Sequence, residues 1–340
     1  MGAGAIGCYV GGLLADAGLD VLLVGRERLR GEIAEHGLAL SSLCDAHEGR
    51  ASPRRIAKDA FRYETSPEAL ADRDVVLVCV KSADTAASGT LLASILSKEA
   101  TVASLQNGVR NADLLRSRLD GRETLGGIVG FNVISRGPGA FRQATSGPLV
   151  IEASARSHVS AMLAELSQRG IEVESPTDIR PLQWSKLVMN LNNAVGALSD
   201  RPTAALLVDD GYRRVIAAII EEAVQTFRAS GTRTARLGRL PVALFPGILR
   251  LPKPLLRLVV RAQVKIDPEA RSSMWEDLRL RRNTEVDDLN GEIVRLAASC
   301  NASAPFNARI VALVHDAEKA ATGSPALSAE AIQRELGLHA

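Results

Sequence analysis

The chain has 340 residues, of which 46% are hydrophobic, 24% charged and only 3% aromatic, a composition that supports a sizeable core and excludes a disordered or fibrous protein. Lys and Arg number 41 against 39 Asp and Glu, and the resulting charge of +2 provides no general field for nucleic acid or an anionic membrane. Four dispersed cysteines without a CxxC pair and five single histidines argue against a zinc site or a disulfide framework and suit reduced thiols in the cytoplasm.

The first element is a glycine loop, Gly2–Gly7 (GAGAIG), which spells GxGxxG and opens a helix. In a dinucleotide-binding loop Gly2 makes the tight turn, Gly4 lets the backbone approach a pyrophosphate, and Gly7 lets helix pack on strand. Amides of the first helical turn, at Ala5 and Ile6, then hold the anion. Such a loop needs a strand ahead of it, and only Met1 stands there. An interior strand missing from a parallel sheet leaves backbone groups unpaired at roughly 1–3 kcal/mol each. The expectation is therefore an earlier start, with upstream codons adding a strand of about five apolar residues.

Val21–Val24 reads as the next strand. At its end, where NAD-specific proteins place a carboxylate for the ribose 2′-hydroxyl, stands Gly25-Arg26. A guanidinium there can chelate a 2′-phosphate, which favours NADPH over NADH. Glu27 follows, with three places to go: Arg26, Arg28 or the ribose. Val75–Val80 (VVLVCV) is a continuous apolar run, as expected of a strand covered on both faces, and Thr101–Leu105 and Leu149–Glu152 are further strands.

The seam lies in Ser175–Pro181 (SPTDIRP), where prolines and polar residues interrupt both periodicities. The predicted architecture is α/β: a Rossmann-type parallel-sheet domain over residues 1–177, its first strand apparently truncated, then an all-helical substrate and catalytic domain over 178–340. Helical periods run over Trp184–Leu198, Asp209–Ala229, Ser273–Ser299 and Asn307–Thr322, and strands disappear. Leu237–Ile266 interleaves apolar and basic residues with Pro241, Pro246, Pro252 and Pro254. Prolines this dense forbid a long helix and suggest a packed insertion or subunit contact. No apolar run reaches the roughly 18–20 residues that span a bilayer.

On the first of these helices, Lys186, Asn190 and Asn193 fall at i, i+4 and i+7, one face of an unbroken helix. One cation and two amides on a helix of Leu, Val and Met suit an oxygen-rich small molecule, and the plain alternative is a solvated stripe. A lysine beside a keto group can donate a proton to the oxygen as hydride reaches the carbon. Ser273 with Glu276 forms a capping box, and a helix start there is also an anion site for a substrate carboxylate. Glu285 lies twelve residues on, about 18 Å along an unbroken helix. A break at Arg282-Asn283-Thr284, with Thr284 and Asp287 as a second cap, places Glu285 in the first turn of a new helix.

Taken in order, GAGAIG, Lys81 directly after VVLVCV, Gln106-Asn107-Gly108, Trp184-Ser185-Lys186-Leu187 with Asn190, SSMWEDL, and Thr284-Glu285-Val286-Asp287 with Leu289-Asn290-Gly291 resemble the ketopantoate reductase (2-dehydropantoate 2-reductase) family. The resemblance implies an NADPH-binding Rossmann domain and a helical domain that together reduce 2-dehydropantoate to pantoate on the route to pantothenate and coenzyme A. It implies Lys186 as general acid, with Glu285 positioning it or the reacting groups. Asn107 would lie near nicotinamide and substrate, Asn190 and Ser273 would hold substrate, and Lys81 and Arg26 would face the cofactor. Three departures from the family pattern are the absent first strand, Ala194 where many members carry Asn beside Asn193, and the longer Pro-rich insertion. The alternatives are the same chemistry on another 2-oxo acid or ketone, or a non-catalytic NADPH-binding regulator. No metal, nucleic acid or membrane partner is expected, and a homodimer through the helical domain is plausible.

Overall fold

The computed structural model describes residues 1–43, 52–237, 240–256, 258 and 269–338. Cys44 and much of the Pro-rich segment lie outside the described residues. The chain divides into two compact units, Met1–Ile179 and Arg180–Ala340.

In the first unit α1 (Ala5–Asp16) starts on the glycine loop and leads through β1 (Leu22–Val24), α2 (Glu27–His36), β2 (Leu38–Ser42), β3 (Arg54–Ile56) and β4 (Arg62–Glu64) to β5 (Val75–Val78). Then come α3 (Thr85–Ile95), β6 (Thr101–Ser104), α4 (Asn111–Arg118), β7 (Thr124–Val129), β8 (Val133–Gly137), β9 (Ala140–Gln143), β10 (Leu149–Ile151), α5 (Ser157–Gln168) and β11 (Val173–Glu174). The main sheet has the order β11-β10-β7-β6-β5. β5, β6 and β7 are parallel, with Val76 opposite Val102 and Ala103 opposite Leu125, while β10 runs antiparallel to β7.

Helices cover both faces of this sheet, as its unbroken apolar strands demand. Val76, Val78 and Val102 pack with Leu92, Leu96, Leu115 and Leu119 of the α3 and α4 layer. Ala103 and Leu125 belong to the cluster that holds Leu13 of α1 and Met162 and Leu166 of α5. Beside the main sheet stands a four-stranded sheet of order β3-β2-β9-β8, which sequence reading missed. Its strands are short and mix Arg, Ser and Gln with apolar residues, so no continuous run marks them.

β1 pairs with β4 on one side, and β5 with β6 on one side. Met1 bonds to the β5 edge: its ammonium donates to Leu77 O (2.8 Å), and its carbonyl accepts from Cys79 N (2.8 Å). Gly2 and Ala3 both donate to Val24 O at 2.9 Å. A cavity of about 340 Å³ is lined by Leu22–Val24, Val75–Leu77, Leu14 and Met162 among others. Burial pulls the Met1 ammonium below its usual pKa, because a charge in an apolar slot loses its hydration.

The second unit is helical, with α6 (Arg180–Asn190), α7 (Asn192–Ser199), α8 (Thr203–Val208), α9 (Asp210–Ser230), α10 (Phe245–Leu249), α11 (Ser273–Arg279), α12 (Asn290–Ser299), α13 (Pro305–Ala320) and α14 (Ala329–Glu335). α9 is the axle. Asp209 caps it by accepting from Gly211 N and Tyr212 N, Gly231 ends it in the left-handed region, and its IAAIIEEAV stretch is nearly all buried. At its middle the buried Glu222 accepts from Phe306 N and Asn307 N (2.8 Å each) and from Asn307 Nδ2 (2.7 Å), so a side chain of α9 caps α13. Asn307 Oδ1 in turn accepts from Asn290 Nδ2 at 3.0 Å, which fastens the start of α12.

Two expectations need correction here. Residues 184–198 do not form one helix: it breaks at Leu191, whose amide is shared between Leu187 O and Val188 O as the last turn of α6 tightens. Strands do not vanish either, since Arg236–Leu237 pairs antiparallel with Leu240–Pro241 at the start of the Pro-rich segment.

Candidate active site

The glycine loop is held by sterics that exclude side chains at two of its three glycines. Gly2 has φ +89°, and a Cβ there would sit 2.6 Å from Cys79 C and Val80 N, at the end of β5. A Cβ at Gly7 would lie 2.4 Å from Gly2 O. Gly4 differs: it is exposed, forms the N-cap of α1, and a Cβ there would meet nothing within 4 Å. The loop thus presents an open cradle in front of the unsatisfied first-turn amides of Ala5 and Ile6, which fits a pyrophosphate.

The neighbouring strand ends add to this edge. Lys81 follows β5 as the N-cap of a 3-10 turn, Ser82–Asp84, and Asn107 follows the parallel neighbour β6; both are half-buried. In open α/β sheets ligands bind outside such carboxyl ends. Arg26 stands at the N-cap of α2, exposed, with its carbonyl accepting from Tyr63 OH at 3.0 Å. Its guanidinium has no ion pair among the described residues. Glu27 turns to neither neighbour but towards Arg30, 3.6 Å away, while Arg28 pairs with Glu32. The helical i, i+3 and i, i+4 spacings decide this, because adjacent residues point to different faces.

In the second unit, α6 carries Lys186 half-buried as a residue, with its ammonium end enclosed. Burial pulls that ammonium down to about 8, and the carboxylate of Glu285 pushes it part of the way back up. Glu285 is itself buried. The structure therefore brings together an ammonium and a carboxylate from distant parts of the sequence. Asp288, which the sequence reading did not single out, belongs to the same group: burial first, then Glu285, raises its carboxyl, while Arg295 with Nη2 at 3.9 Å opposes the rise. The signal was its place in the Thr284–Asp288 run, three residues after Glu285. Asn190 and Asn193 are both half-buried, on opposite sides of the break at Leu191.

The serine pair is corrected by one residue. Ser272, not Ser273, caps α11: it has extended φ −70° and ψ 153°, and its hydroxyl accepts from Trp275 N at 3.2 Å. The same hydroxyl donates to Asn193 O at 2.9 Å, which ties α11 to the start of α7. Ser273 is the first helical residue, exposed, and forms no side-chain hydrogen bond within the described chain. With seven residues α11 has little dipole to offer an anion. The second cap also differs. Thr284 Oγ1 accepts from Val286 N at 3.2 Å, and this tight turn starts a 3-10 segment, Val286–Asp288. Glu285 thus precedes the first turn, and the α-helix proper begins at Asn290.

Among the described residues no group of three or more His, Cys, Asp or Glu could hold a metal ion, and no helix is long and apolar enough to cross a membrane.

Residues 1–156 match the family described as ketopantoate reductase PanE/ApbA, and residues 178–318 match its C-terminal counterpart, ketopantoate reductase PanE/ApbA C terminal. A crystal structure of a PanE/ApbA family ketopantoate reductase from Ralstonia eutropha JMP134 is 33% identical and superposes with a TM-score of 0.77, covering 94% of this chain and 98% of that one. The chain belongs to the ketopantoate reductase family. The 2-dehydropantoate 2-reductase of Pyrococcus horikoshii is 27% identical over 328 residues, 95% of this chain and 98% of the relative. A D-mandelate dehydrogenase solved with NADH and anilino(oxo)acetate has the same fold, with a TM-score of 0.74 at 20% identity over 94% of this chain and 97% of that one. Ketopantoate reductases are oxidoreductases that act on a CH–OH donor with a nicotinamide dinucleotide, and the open cradle at Gly4 suits that cofactor class.

The coupled lysine gives a direct test. Competitive amine labelling followed by mass spectrometry should give Lys186 a midpoint of about 8. In Glu285→Gln the midpoint should move lower, because the variant keeps the burial that depresses the ammonium and loses the carboxylate that supports it. A midpoint near the ordinary lysine value would show that burial does not depress the ammonium, and one unmoved by Glu285→Gln would show that the two side chains do not interact.

Proposed function

We propose that this chain reduces 2-dehydropantoate to pantoate with NADPH, with Lys186 as the general acid. The observation that carries this reading is the enclosed Lys186 ammonium beside the buried Glu285, lowered to about 8. The bound nicotinamide supplies the hydride that the keto carbon receives. The chain's own residues supply the proton and hold both molecules. A lysine titrating near 8 is still largely protonated at neutral pH, yet releases its proton more readily than an ordinary lysine, so it suits donation to the keto oxygen. Its charge also stabilises the alkoxide that develops there.

Glu285 keeps the ammonium protonated and orients it. The amides of Asn190 and Asn193 and the outward hydroxyl of Ser273 serve as hydrogen-bond donors to the carboxylate and hydroxyl of the substrate, and Asn107 serves at its reacting end. Gly2, Gly4, Ala5, Ile6 and Gly7 hold the pyrophosphate, with Lys81 at the strand edge beside them. NADPH is preferred because β1 ends without a carboxylate and Arg26 carries a free guanidinium among the described residues. A second reading is the same chemistry on another 2-oxo acid, since a fully buried alanine stands at position 194, beside Asn193, and offers no polar group.

Steady-state kinetics separate these readings. The value of kcat/KM for 2-dehydropantoate should exceed that for branched 2-oxo acids by roughly tenfold or more, and equal or reversed values would select the second reading. Lys186→Ala should lower kcat by about a hundredfold or more while NADPH still binds. Arg26→Glu should reduce the preference for NADPH over NADH, and an unchanged preference would remove Arg26 from the cofactor site.

A further inference from the structure

The first unit contains a buried polar chain that no role described so far has used. Ser104, Thr85, Gln106, Asn111 and Ser82 are all buried, and their hydrogen bonds run in one direction. Ser104 Oγ donates to Gln106 Oε1 (3.0 Å), and Gln106 Nε2 donates to Thr85 Oγ1 (2.7 Å) and Val80 O (3.1 Å). Thr85 Oγ1 donates to Asn111 Oδ1 (2.9 Å), and Asn111 Nδ2 donates to Ser82 Oγ (3.0 Å) and Asn107 O (2.6 Å).

The chain ends on the two segments that carry Lys81 and Asn107. Val80 and Ser82 flank Lys81 on either side, and the carbonyl that Asn111 grips belongs to Asn107 itself. Apart from that amide, the ends of β5 and β6 are joined by strand pairing, which stops at Val78 and Ser104, and by Gln106 Nε2, which reaches Val80 O but neither Ser82 nor Asn107. We propose that Asn111 is the positioning residue that sets the spacing between Lys81 and Asn107, and through them the seat of the nicotinamide dinucleotide. The assignment rests on the reading that those two residues contact the cofactor. Asn111 suits the task because one planar amide accepts from Thr85 while both its N–H bonds are spent on the two loops, and a fully satisfied buried network is rigid.

Two variants separate positioning from mere stability. Asn111→Asp keeps the acceptor for Thr85 but loses both donors to the loops and faces the Asn107 carbonyl with a charge. Thr85→Val removes the bonds upstream and leaves both loop bonds in place. The Tm of the cofactor-free protein should fall in both. The Kd for NADPH, read from the fluorescence of the bound nucleotide, should rise about tenfold or more in Asn111→Asp, the equivalent of two lost hydrogen bonds, and less than about threefold in Thr85→Val. Asn111→Thr, which retains one hydroxyl donor, should give an intermediate Kd and serves as the readout if the Asp variant does not fold.

Equal Kd changes that track the loss of Tm would reduce Asn111 to a structural role and overturn the proposal. Lys81→Ala and Asn107→Ala act as controls. If they raise the Kd and Asn111→Asp does not, the positioning role fails alone. If neither control changes the Kd, the cofactor reading fails and the positioning role falls with it.

Discussion

A lysine ammonium enclosed by protein and a carboxylate buried beside it constrain one another. Each alone would be expensive, since an unpaired charge out of water costs several kcal/mol. Together they are tolerable, and the balance leaves Lys186 near 8 rather than at its ordinary value. The helical unit is arranged around keeping them adjacent. α6 delivers the lysine, the 3-10 segment after Glu285 delivers the carboxylate, and Asp288 adds a second acid within reach of Glu285. The residual negative charge is answered by Arg295, which also binds Glu292 and the Asp287 carbonyl.

The first unit obeys a different constraint, that of backbone close approach. Gly2 and Gly7 have no room for a Cβ, while Gly4 has room and an exposed face. This division of labour places α1 with its free amides at the carboxyl edge of β5, from which Lys81 emerges, beside β6, from which Asn107 emerges. The polar chain through Gln106, Thr85 and Asn111 fills the space beneath these loops with directed hydrogen bonds instead of apolar packing.

Much of this was legible in the sequence because its causes are local. The glycine loop is spelled by three glycines within six residues, although it is Cys79 and Val80 that close the space at Gly2; the sheet strands follow from unbroken apolar runs, and α9 from a cap, a period and a terminal glycine. The pairing of Lys186 with Glu285 is not local, and only the resemblance of whole motifs pointed to it. Where reading failed, a short-range choice between near-equal neighbours decided the outcome: Ser272 rather than Ser273 is the cap, and Glu27 turns to Arg30, which was not among its expected partners. The four-stranded sheet escaped notice because a short polar strand acquires its identity from the neighbour it pairs with. Asp288 and Asn111 escaped because their significance is entirely tertiary.

The anchorage of α13 by Glu222 has a mechanical consequence. The carboxylate sits midway along the longest helix among the described residues, where fraying does not reach, and both its oxygens are occupied by donors from one helix start. Through Asn307 and Asn290 the same anchor holds the first turn of α12, directly after the segment that carries Glu285 and Asp288. One oxygen of Asn290 remains buried without a partner, a penalty of roughly 1–3 kcal/mol that a purely apolar contact would have avoided. The acid side of the site is thus moored, through buried hydrogen bonds, to the middle of α9.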